Sequence, residues 1–197
     1  MFDLVLLEEY FDENFMGNTI ELNSRNDTGV IYMEIWDGYY RDGTLAGMEL
    51  IRGEDIPQGL YHMVCEAVIH HTDGTYLLMQ RSYQKEIFPG NWEIGAGGSA
   101  LKGENKTEAI LREIMEETGI DDGDLKEIYH LAHDKHQSIY YGFLLTTSCD
   151  KNSIRLQEGE TIDYKWITKK ELIEFFESSQ CIPNSKERLK DFINSIK

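Results

Sequence analysis

The sequence predicts an α+β domain in which a mixed β-sheet carries helices on both faces. Two observations support this prediction. Runs with strand periodicity, several of them joined by hairpin turns, are interspersed along the chain with stretches of helical periodicity. The chain also has 197 residues, of which 41% are hydrophobic, and this is enough for one domain with a sizeable core.

The strand candidates are short runs rich in β-branched and aromatic residues. The clearest hairpin signal is Asp73-Gly74, because Asp-Gly favours the tight turn between two antiparallel strands. The two runs that flank residues 71–74 are therefore predicted to pair. The other strand candidates are residues 30–37, 45–53, 92–94, 125–131, 138–145 and 164–168.

Three stretches are predicted to be helical. Residues 105–118 have helical periodicity and are followed by Gly119, a residue suited to the position after a helix end. Thr168 and Glu171 form a capping-box pattern that opens a helix over residues 169–177. Near the carboxyl terminus, four apolar residues share one helical face and predict that this tail packs on the domain: Leu189, Phe192, Ile193 and Ile196.

Composition excludes several classes of function. The formal net charge is −17 and no strong basic patch is present, so binding of long nucleic acid is not expected. Apolar runs are too short to span a membrane. Three cysteines without paired spacing indicate a reducing compartment, and we expect a cytoplasmic protein. A small anionic substrate stays compatible with this charge if metal cations lie between it and the protein.

The acidic stretch from Gly97 to Ile120 is the strongest chemical signal. On the predicted helix, Glu113, Glu116 and Glu117 fall at positions i, i+3 and i+4, so their carboxylates share one side. Like charges at this spacing repel, and a divalent cation would remove the repulsion. Carboxylate oxygens suit Mg²⁺ or Mn²⁺, and Mg²⁺ is commonly shared with substrate phosphates. A solvated acidic face is the alternative for a short Glu-rich pattern of this kind.

Residues before and within the helix extend the same pattern. Gly97 and Gly98 allow the backbone to approach a ligand closely, so a carbonyl oxygen there is a candidate metal ligand. Glu104 and Arg112 are eight residues apart and are placed to pair across the junction between loop and helix. Such a pair would orient the metal ligands.

These residues resemble a complete Nudix box. The box begins at Gly98 and continues through Glu104 to Arg112-Glu113-Ile114, Glu116-Glu117 and Gly119-Ile120. The wider likeness to the Nudix hydrolase family covers residues 59–177. It implies a Nudix-type α/β/α sandwich with a mixed β-sheet that hydrolyses a diphosphate linked to another group.

The resemblance also implies roles for individual residues. Glu113, Glu116 and Glu117 would bind Mg²⁺ or Mn²⁺, and the Gly97 carbonyl would be a further ligand. Glu104 and Arg112 would support these ligands. Glu160 matches a position that often supplies an extra metal ligand or the general base. A glutamate would take the proton from the attacking water, and the resemblance does not say which one.

Two alternative functions are considered beside hydrolysis. The region before the box is similar to Nudix proteins related to isopentenyl-diphosphate isomerase, but residues 92–101 contain neither the cysteine nor the histidine of that enzyme. A Nudix-like binding domain without catalysis usually has an eroded box, whereas this one is intact. Both comparisons favour the hydrolase.

The sequence leaves the leaving group open. Nucleoside diphosphates or triphosphates, nucleotide sugars, dinucleotides and isoprenoid diphosphates all fit the box. Arg52, Arg81 and Lys85 are candidate phosphate contacts in this acidic chain. We expect residues 59–197 to form the Nudix domain and residues 1–58 an N-terminal extension that shapes the pocket or forms a dimer. The sequence leaves the oligomeric state open, and a homodimer is considered because members of the family are often dimers.

Overall fold

The computed structural model of the chain describes residues 33–197. The strands within this range are β1 (Ile35–Tyr39), β2 (Leu45–Ile51), β3 (His62–His71), β4 (Thr75–Arg81), β5 (Trp92–Ile94), β6 (Ala96–Ser99), β7 (Asp124–His133), β8 (Ser138–Thr147) and β9 (Thr161–Thr168). The α-helices are α1 (Lys106–Thr118), α2 (Lys169–Glu177) and α3 (Pro183–Ile196). None of these helices has the length and apolar character needed to cross a bilayer.

The main sheet has seven strands and is mixed, as the sequence predicts. Its central path runs β5-β4-β3-β8-β7, with β6 paired to β3 and β9 paired to β4. The pair β3–β8 is parallel over ten residue pairs, whereas the other pairs in the sheet are antiparallel. Strand β3 therefore lies at the centre, with β6 and helix α1 beside it.

Side chains of the central strands alternate between two hydrophobic clusters. This follows from the pleat, which directs successive side chains to opposite faces of a sheet. On one face, Cys65 and Ala67 of β3 pack in the cluster that contains Ile110 and Ile114 of α1. On the other face, residues of β3 and β4 pack with α2 and α3: Val68, Leu78, Leu172, Leu189 and Ile193. Helices on both faces confirm the predicted α/β/α sandwich.

Local signals in the sequence match the ends of several elements. Helix α1 is preceded by Asn105, whose side chain accepts hydrogen bonds from the first turn, and Gly119 follows it at φ 72°. The Thr168–Glu171 capping box opens α2 as predicted. The hairpin between β3 and β4 also lies where Asp73-Gly74 predicts it. Of the predicted strand 30–37, residues 30–32 lie outside the described range.

Strand β6 was not predicted. Its sequence, Ala-Gly-Gly-Ser, has no β-branched or aromatic residue and so carries no strand signal. It forms because β3 supplies a partner: Cys65 lies opposite Gly98, and Glu66 lies opposite Gly97. The acidic stretch therefore begins on a strand rather than in a loop.

The hairpin formed by β1 and β2 holds the loop that leads into α1. The Lys102 N–H donates to the Ile35 carbonyl at 2.8 Å. The Gly103 N–H donates to Oδ2 of Asp37 at 2.7 Å. Trp36 is in a small apolar cluster against which Leu101 packs. This part of the N-terminal extension braces the predicted metal loop, while the division of the chain at residues 58 and 59 stays a prediction.

Candidate active site

Packing of helix α1 on the sheet fixes the positions of its glutamates. Ile110 and Ile114 are buried on the sheet side of the helix and fix its orientation. Glu113 is also buried, with 9% of its surface exposed. The acidic side of the helix is therefore held against β6 and is not a solvated surface.

Arg112 is the hub of the carboxylate cluster. Its Nε and Nη2 donate to the two oxygens of Glu104 at 2.7 and 3.0 Å. Its Nη1 donates to Glu113 at 2.8 Å and to Glu116 at 3.1 Å. A further bond from Nη2 reaches the Ser99 carbonyl of β6 at 3.0 Å. One buried guanidinium group thus joins three carboxylates and the strand opposite.

Glu104, which pairs with Arg112, also holds the loop that leads from β6 into α1. Its Oε2 accepts a hydrogen bond from the Leu101 N–H at 2.7 Å. The side chains of Glu104 and Arg112 are only 5% and 8% exposed. The structure brings the two residues together as their spacing predicts, and the arrangement suits a role in positioning the neighbouring glutamates.

Glycines of β6 let the strand lie close to the acidic helix. The Gly97 N–H donates to Oε2 of Glu117 at 3.1 Å. A Cβ on Gly98 would lie 2.3 Å from Oε1 of Glu113, so the carboxylate occupies the space that a larger residue would need. A Cβ on Gly97 would lie 2.6 Å from the Cys65 carbonyl oxygen of β3, so Gly97 is required by the close approach of β3 and Gly98 by the contact with Glu113.

Burial raises the pKa values of all three helix glutamates. The pKa of Glu113 is raised to about 7, mainly by burial, although the Arg112 charge acts in the opposite direction. Burial likewise raises the pKa of Glu116, and Arg112 again opposes the shift. The pKa of Glu117 is raised well above its ordinary value by burial and by Glu113. Burial therefore disfavours the charged form of these carboxylates, and Arg112 offsets this only in part at Glu113 and Glu116.

The donor set fits a divalent cation in charge and in chemistry. Arg112 donates hydrogen bonds to Glu104, Glu113 and Glu116, and within residues 33–197 Glu117 accepts only from the Gly97 N–H. As placed, no three His, Cys, Asp or Glu side chains in residues 33–197 converge on one metal-sized position. Binding would therefore require a glutamate to turn away from its present donor.

A cleft opens beside this cluster, and it contains four of the predicted site residues. Gly97, Glu117, Arg81 and Glu160 all line it. Glu93, which was not predicted, lines the cleft as well and pairs with Arg81 through Nη1. Lys85 pairs with Glu160 at the cleft edge. Of the basic residues predicted to contact phosphate, Arg81 thus lines the same cleft as Glu117, and Lys85 is linked to the cleft through Glu160.

Arg52 lies apart from this cleft. It pairs with Glu34 beside the start of β1, and its side chain is 54% exposed. It is not among the residues that line the cleft. Its predicted contact with phosphate therefore stays a prediction that the cleft geometry does not support.

Sequence reasoning also missed cleft residues that come from distant parts of the chain. They are Glu66 of β3, Glu93 of β5, Tyr140 of β8 and Arg188 of α3. Glu66 had a usable signal, because it is an acid within the apolar run from Val64 to Ile69 of a central strand. Arg188 had none, since an arginine on an amphipathic helix is ordinarily a surface residue.

The family-level comparison agrees with the box. The model of the NUDIX domain matches residues 60–187. The chain belongs to the Nudix family. An uncharacterized Nudix hydrolase of Listeria monocytogenes is 33% identical over 153 residues, which is 77% of this chain and 89% of the relative.

A second relative of this Nudix protein has a named activity. The nucleoside triphosphatase NudI of Escherichia coli K12 is 29% identical over 126 residues, covering 57% of this chain and 85% of NudI. Among solved structures, DR0079 of Deinococcus radiodurans matches with a TM-score of 0.66 and 18% identity, over 80% of this chain and 98% of that one. The MutT protein of Methanosarcina mazei matches with a TM-score of 0.55 and 23% identity, over 70% of this chain and 96% of that protein. The structural matches show the fold, and the sequence relatives support a hydrolase.

Proposed function

We propose that this protein is a metal-dependent pyrophosphohydrolase. It cleaves the diphosphate bond of a nucleoside diphosphate linked to another moiety, or of a related organic diphosphate. The observation that carries the proposal is the set of carboxylates on one turn of α1, of which Glu113 and Glu116 share the guanidinium group of Arg112 and Glu117 lines the cleft. Membership of the Nudix hydrolase family supports it.

The proposal assigns metal binding to the acidic cluster. Glu113, Glu116 and Glu117 would hold Mg²⁺ or Mn²⁺, with the Gly97 carbonyl and Glu160 as further ligands. A bound ion of this kind neutralises the diphosphate and makes its phosphorus more susceptible to attack. Glu104 and Arg112 hold the cluster in place from behind.

Side chains of the cleft and of the acidic cluster would bind the phosphates and activate the attacking water. Arg81 and Lys85 would donate hydrogen bonds to phosphate oxygens, in exchange for their present partners Glu93 and Glu160. One carboxylate of the cluster takes the proton from the attacking water. The pKa of Glu113, which is raised to about 7 mainly by burial, suits proton acceptance near neutral pH.

Isomerase chemistry is not favoured by the structure around the box. Cys65 is the cysteine nearest to the box in the sheet, because it pairs in register with Gly98. Its side chain is fully buried, and burial raises the pKa of the thiol to about 12. A thiol in this environment is not suited to exchange protons with a substrate in the cleft.

We also propose that the protein acts in the cytoplasm and forms a homodimer. All three of its cysteines are free thiols, which agrees with a reducing compartment. The dimer rests on the family resemblance alone. Sedimentation equilibrium of the full chain tests it directly.

The proposed activity is tested with the purified full chain and a panel of diphosphates. Nucleotide sugars, dinucleotides, nucleoside diphosphates and triphosphates, and isoprenoid diphosphates are incubated with Mg²⁺, with Mn²⁺ or with a chelator. We expect release of phosphate or nucleoside monophosphate from at least one compound, and only when metal is present. Hydrolysis that persists in the chelator, or rearrangement of isopentenyl diphosphate without hydrolysis, would contradict the proposal.

The pH dependence of stability gives an independent prediction. A carboxyl group whose pKa is higher in the folded than in the unfolded protein stabilises the fold at low pH, and this contribution is lost as pH rises through the folded value. For Glu113 that window runs from its ordinary value to about 7. Without metal, the melting temperature should therefore fall between pH 5 and pH 8 through this group.

A divalent cation should reverse that loss, because it binds the ionised carboxylates. Mg²⁺ or Mn²⁺ should raise the melting temperature more at pH 8 than at pH 5.5, where protons compete for the same oxygens. Differential scanning calorimetry at both pH values measures the shift. An equal shift at the two pH values, or none, would show that these carboxylates are not the binding site.

A further inference from the structure

A second group of charged residues lies in the cleft beside the acidic cluster. Nε of Arg188 donates to Oε1 of Glu66 at 2.7 Å, and Nη2 donates to Oε2 at 2.6 Å. The Arg188 guanidinium carbon lies 4.3 Å from the ring centroid of Tyr140. This bidentate, stacked arrangement fixes the plane of the guanidinium group. We refer to Glu66, Tyr140 and Arg188 as the cleft platform.

The platform is held rigidly and lies next to the proposed metal site. Helix α3 carries Arg188 and is anchored by Leu189 and Ile193, which are 4% and 0% exposed. Glu66 lies directly opposite Gly97 in the β3–β6 pair. If a diphosphate binds at Glu117 beside β6, the group attached to it would therefore contact the platform on the neighbouring strand β3.

The platform keeps hydrogen-bonding capacity after its internal pairing. Within the described residues, Nη1 of Arg188 has no hydrogen-bond acceptor, and the Glu66 oxygens accept only from Arg188. Side-chain exposure is 11% for Arg188 and 19% for Glu66, so a ligand that covers them removes their remaining water. An apolar ligand would leave Nη1 of Arg188 and the remaining acceptor positions of the Glu66 oxygens without hydrogen-bond partners, which costs free energy even though the pair itself stays intact.

The charge of the cleft also restricts what the platform accepts. Glu66 is paired with Arg188, so the charges at the platform end of the cleft are balanced. An anionic group there would compete with Glu66 for Arg188, and a cationic group would compete with Arg188 for Glu66. A ligand that both donates and accepts hydrogen bonds, and that carries no charge, matches the platform best.

We propose that Glu66 and Arg188, supported by Tyr140, determine which moiety attached to the diphosphate the enzyme accepts, and that this moiety is uncharged and polar, such as a nucleoside or a sugar. This inference rests on the proposed hydrolase function and narrows it. We do not expect isoprenoid diphosphates to be preferred substrates, because their chains would displace water from the ion pair without replacing the hydrogen bonds that this water makes. The same logic explains how sites that hydrogen-bond a substrate reject analogues that lack the polar group.

The test compares substrates in variants of the platform. Glu66→Gln keeps the size of the side chain and removes its charge, and Arg188→Met removes the guanidinium group. For the best nucleotide sugar or dinucleotide, each variant should raise KM by about 10- to 100-fold, with kcat changed much less. The double variant Glu66→Leu with Arg188→Leu should lose the preference for that substrate over geranyl diphosphate. The exposed ion pair of α2, in the variant Lys170→Met with Glu174→Gln, is the matched control and should change neither constant.

Measurements of folding and binding distinguish failure of this inference from unfolding of a variant and from failure of the proposed hydrolase function. Circular dichroism and melting temperature report whether α3 stays docked, and the conservative Glu66→Gln variant covers the case in which Arg188→Met unfolds. A wild-type enzyme that prefers geranyl diphosphate, or a well-folded Glu66→Gln enzyme with unchanged KM, would overturn the inference while the hydrolase stands. If the wild type hydrolyses nothing, the proposed function fails. Isothermal titration calorimetry with non-hydrolysable, methylene-bridged analogues of the two substrates then tests the proposed role of the platform. Tighter binding of the polar analogue would support that role, and equal binding of the two analogues would contradict it.

Discussion

Replacement of Arg112 by glutamine is expected to lower the free energy of unfolding by about 3–5 kcal/mol, the usual cost of breaking a buried ion pair from one side. The side chain of Arg112 is 8% exposed and donates to Glu104, Glu113, Glu116 and the Ser99 carbonyl. Without it, buried carboxylates face one another with no positive charge between them. Urea denaturation of the metal-free protein measures the loss.

The control for this change is an arginine in an exposed ion pair. Arg41→Gln removes a partner of Asp134 where both side chains are 63% exposed, and it should change stability little. The double variant Glu104→Gln with Arg112→Gln should recover part of the stability lost in Arg112→Gln, since one uncompensated charge is gone. If Arg112→Gln and Arg41→Gln cost the same, Arg112 is not the electrostatic hub of the cluster.

Replacement of Glu117 by glutamine is expected to abolish nearly all activity with little loss of fold. Its carboxylate is the one that both belongs to the acidic cluster and lines the cleft. Loss of a carboxylate that binds metal or accepts a proton lowers kcat by about 10²- to 10⁴-fold. Steady-state kinetics on the best substrate of the panel, with saturating Mg²⁺, measures the effect.

The matched control is another glutamate on a helix of the same protein. Glu174→Gln lies on α2, where the side chain is 63% exposed, and it should keep full activity. The metal-free Glu117→Gln protein should be at least as stable as wild type near pH 8, because an amide removes a buried carboxyl group whose pKa is raised. Retention of wild-type kcat by Glu117→Gln would remove this residue from the proposed mechanism.

The sequence predicts those parts of the site that depend on spacing within one short segment. The helix of residues 106–118 fixes the relation of Glu113, Glu116 and Glu117, because three and four residues separate neighbours on a helical face. The link from Glu104 to Arg112 spans only eight residues, from the turn before the helix into the helix itself. Helix α1 and the hairpin of β3 and β4 were predictable for the same reason, since their caps and turn residues are local.

Other parts of the site depend on contacts between distant segments. Arg188 meets Glu66 across 122 positions of sequence, and no periodicity in either segment indicates the partner. Strand β6 has no propensity of its own and forms against β3. The β1–β2 hairpin braces residues 102 and 103 through a backbone hydrogen bond, which almost any sequence can form, and through the Asp37 side chain, whose partner Gly103 is 66 positions away in the sequence. Tertiary packing decides these features.

Binding of Mn²⁺ by the metal-free protein tests the central claim most directly. Electron paramagnetic resonance measures the signal of free Mn²⁺ as protein is added, for the wild type, for Glu113→Gln, Glu116→Gln and Glu117→Gln, and for the Glu174→Gln control. We predict that the wild type and the control remove the free signal, and that each variant of α1 removes much less at the same concentration. Equal binding by all five proteins, or no binding by the wild type, would contradict the conclusion that these carboxylates are gathered to hold a metal ion.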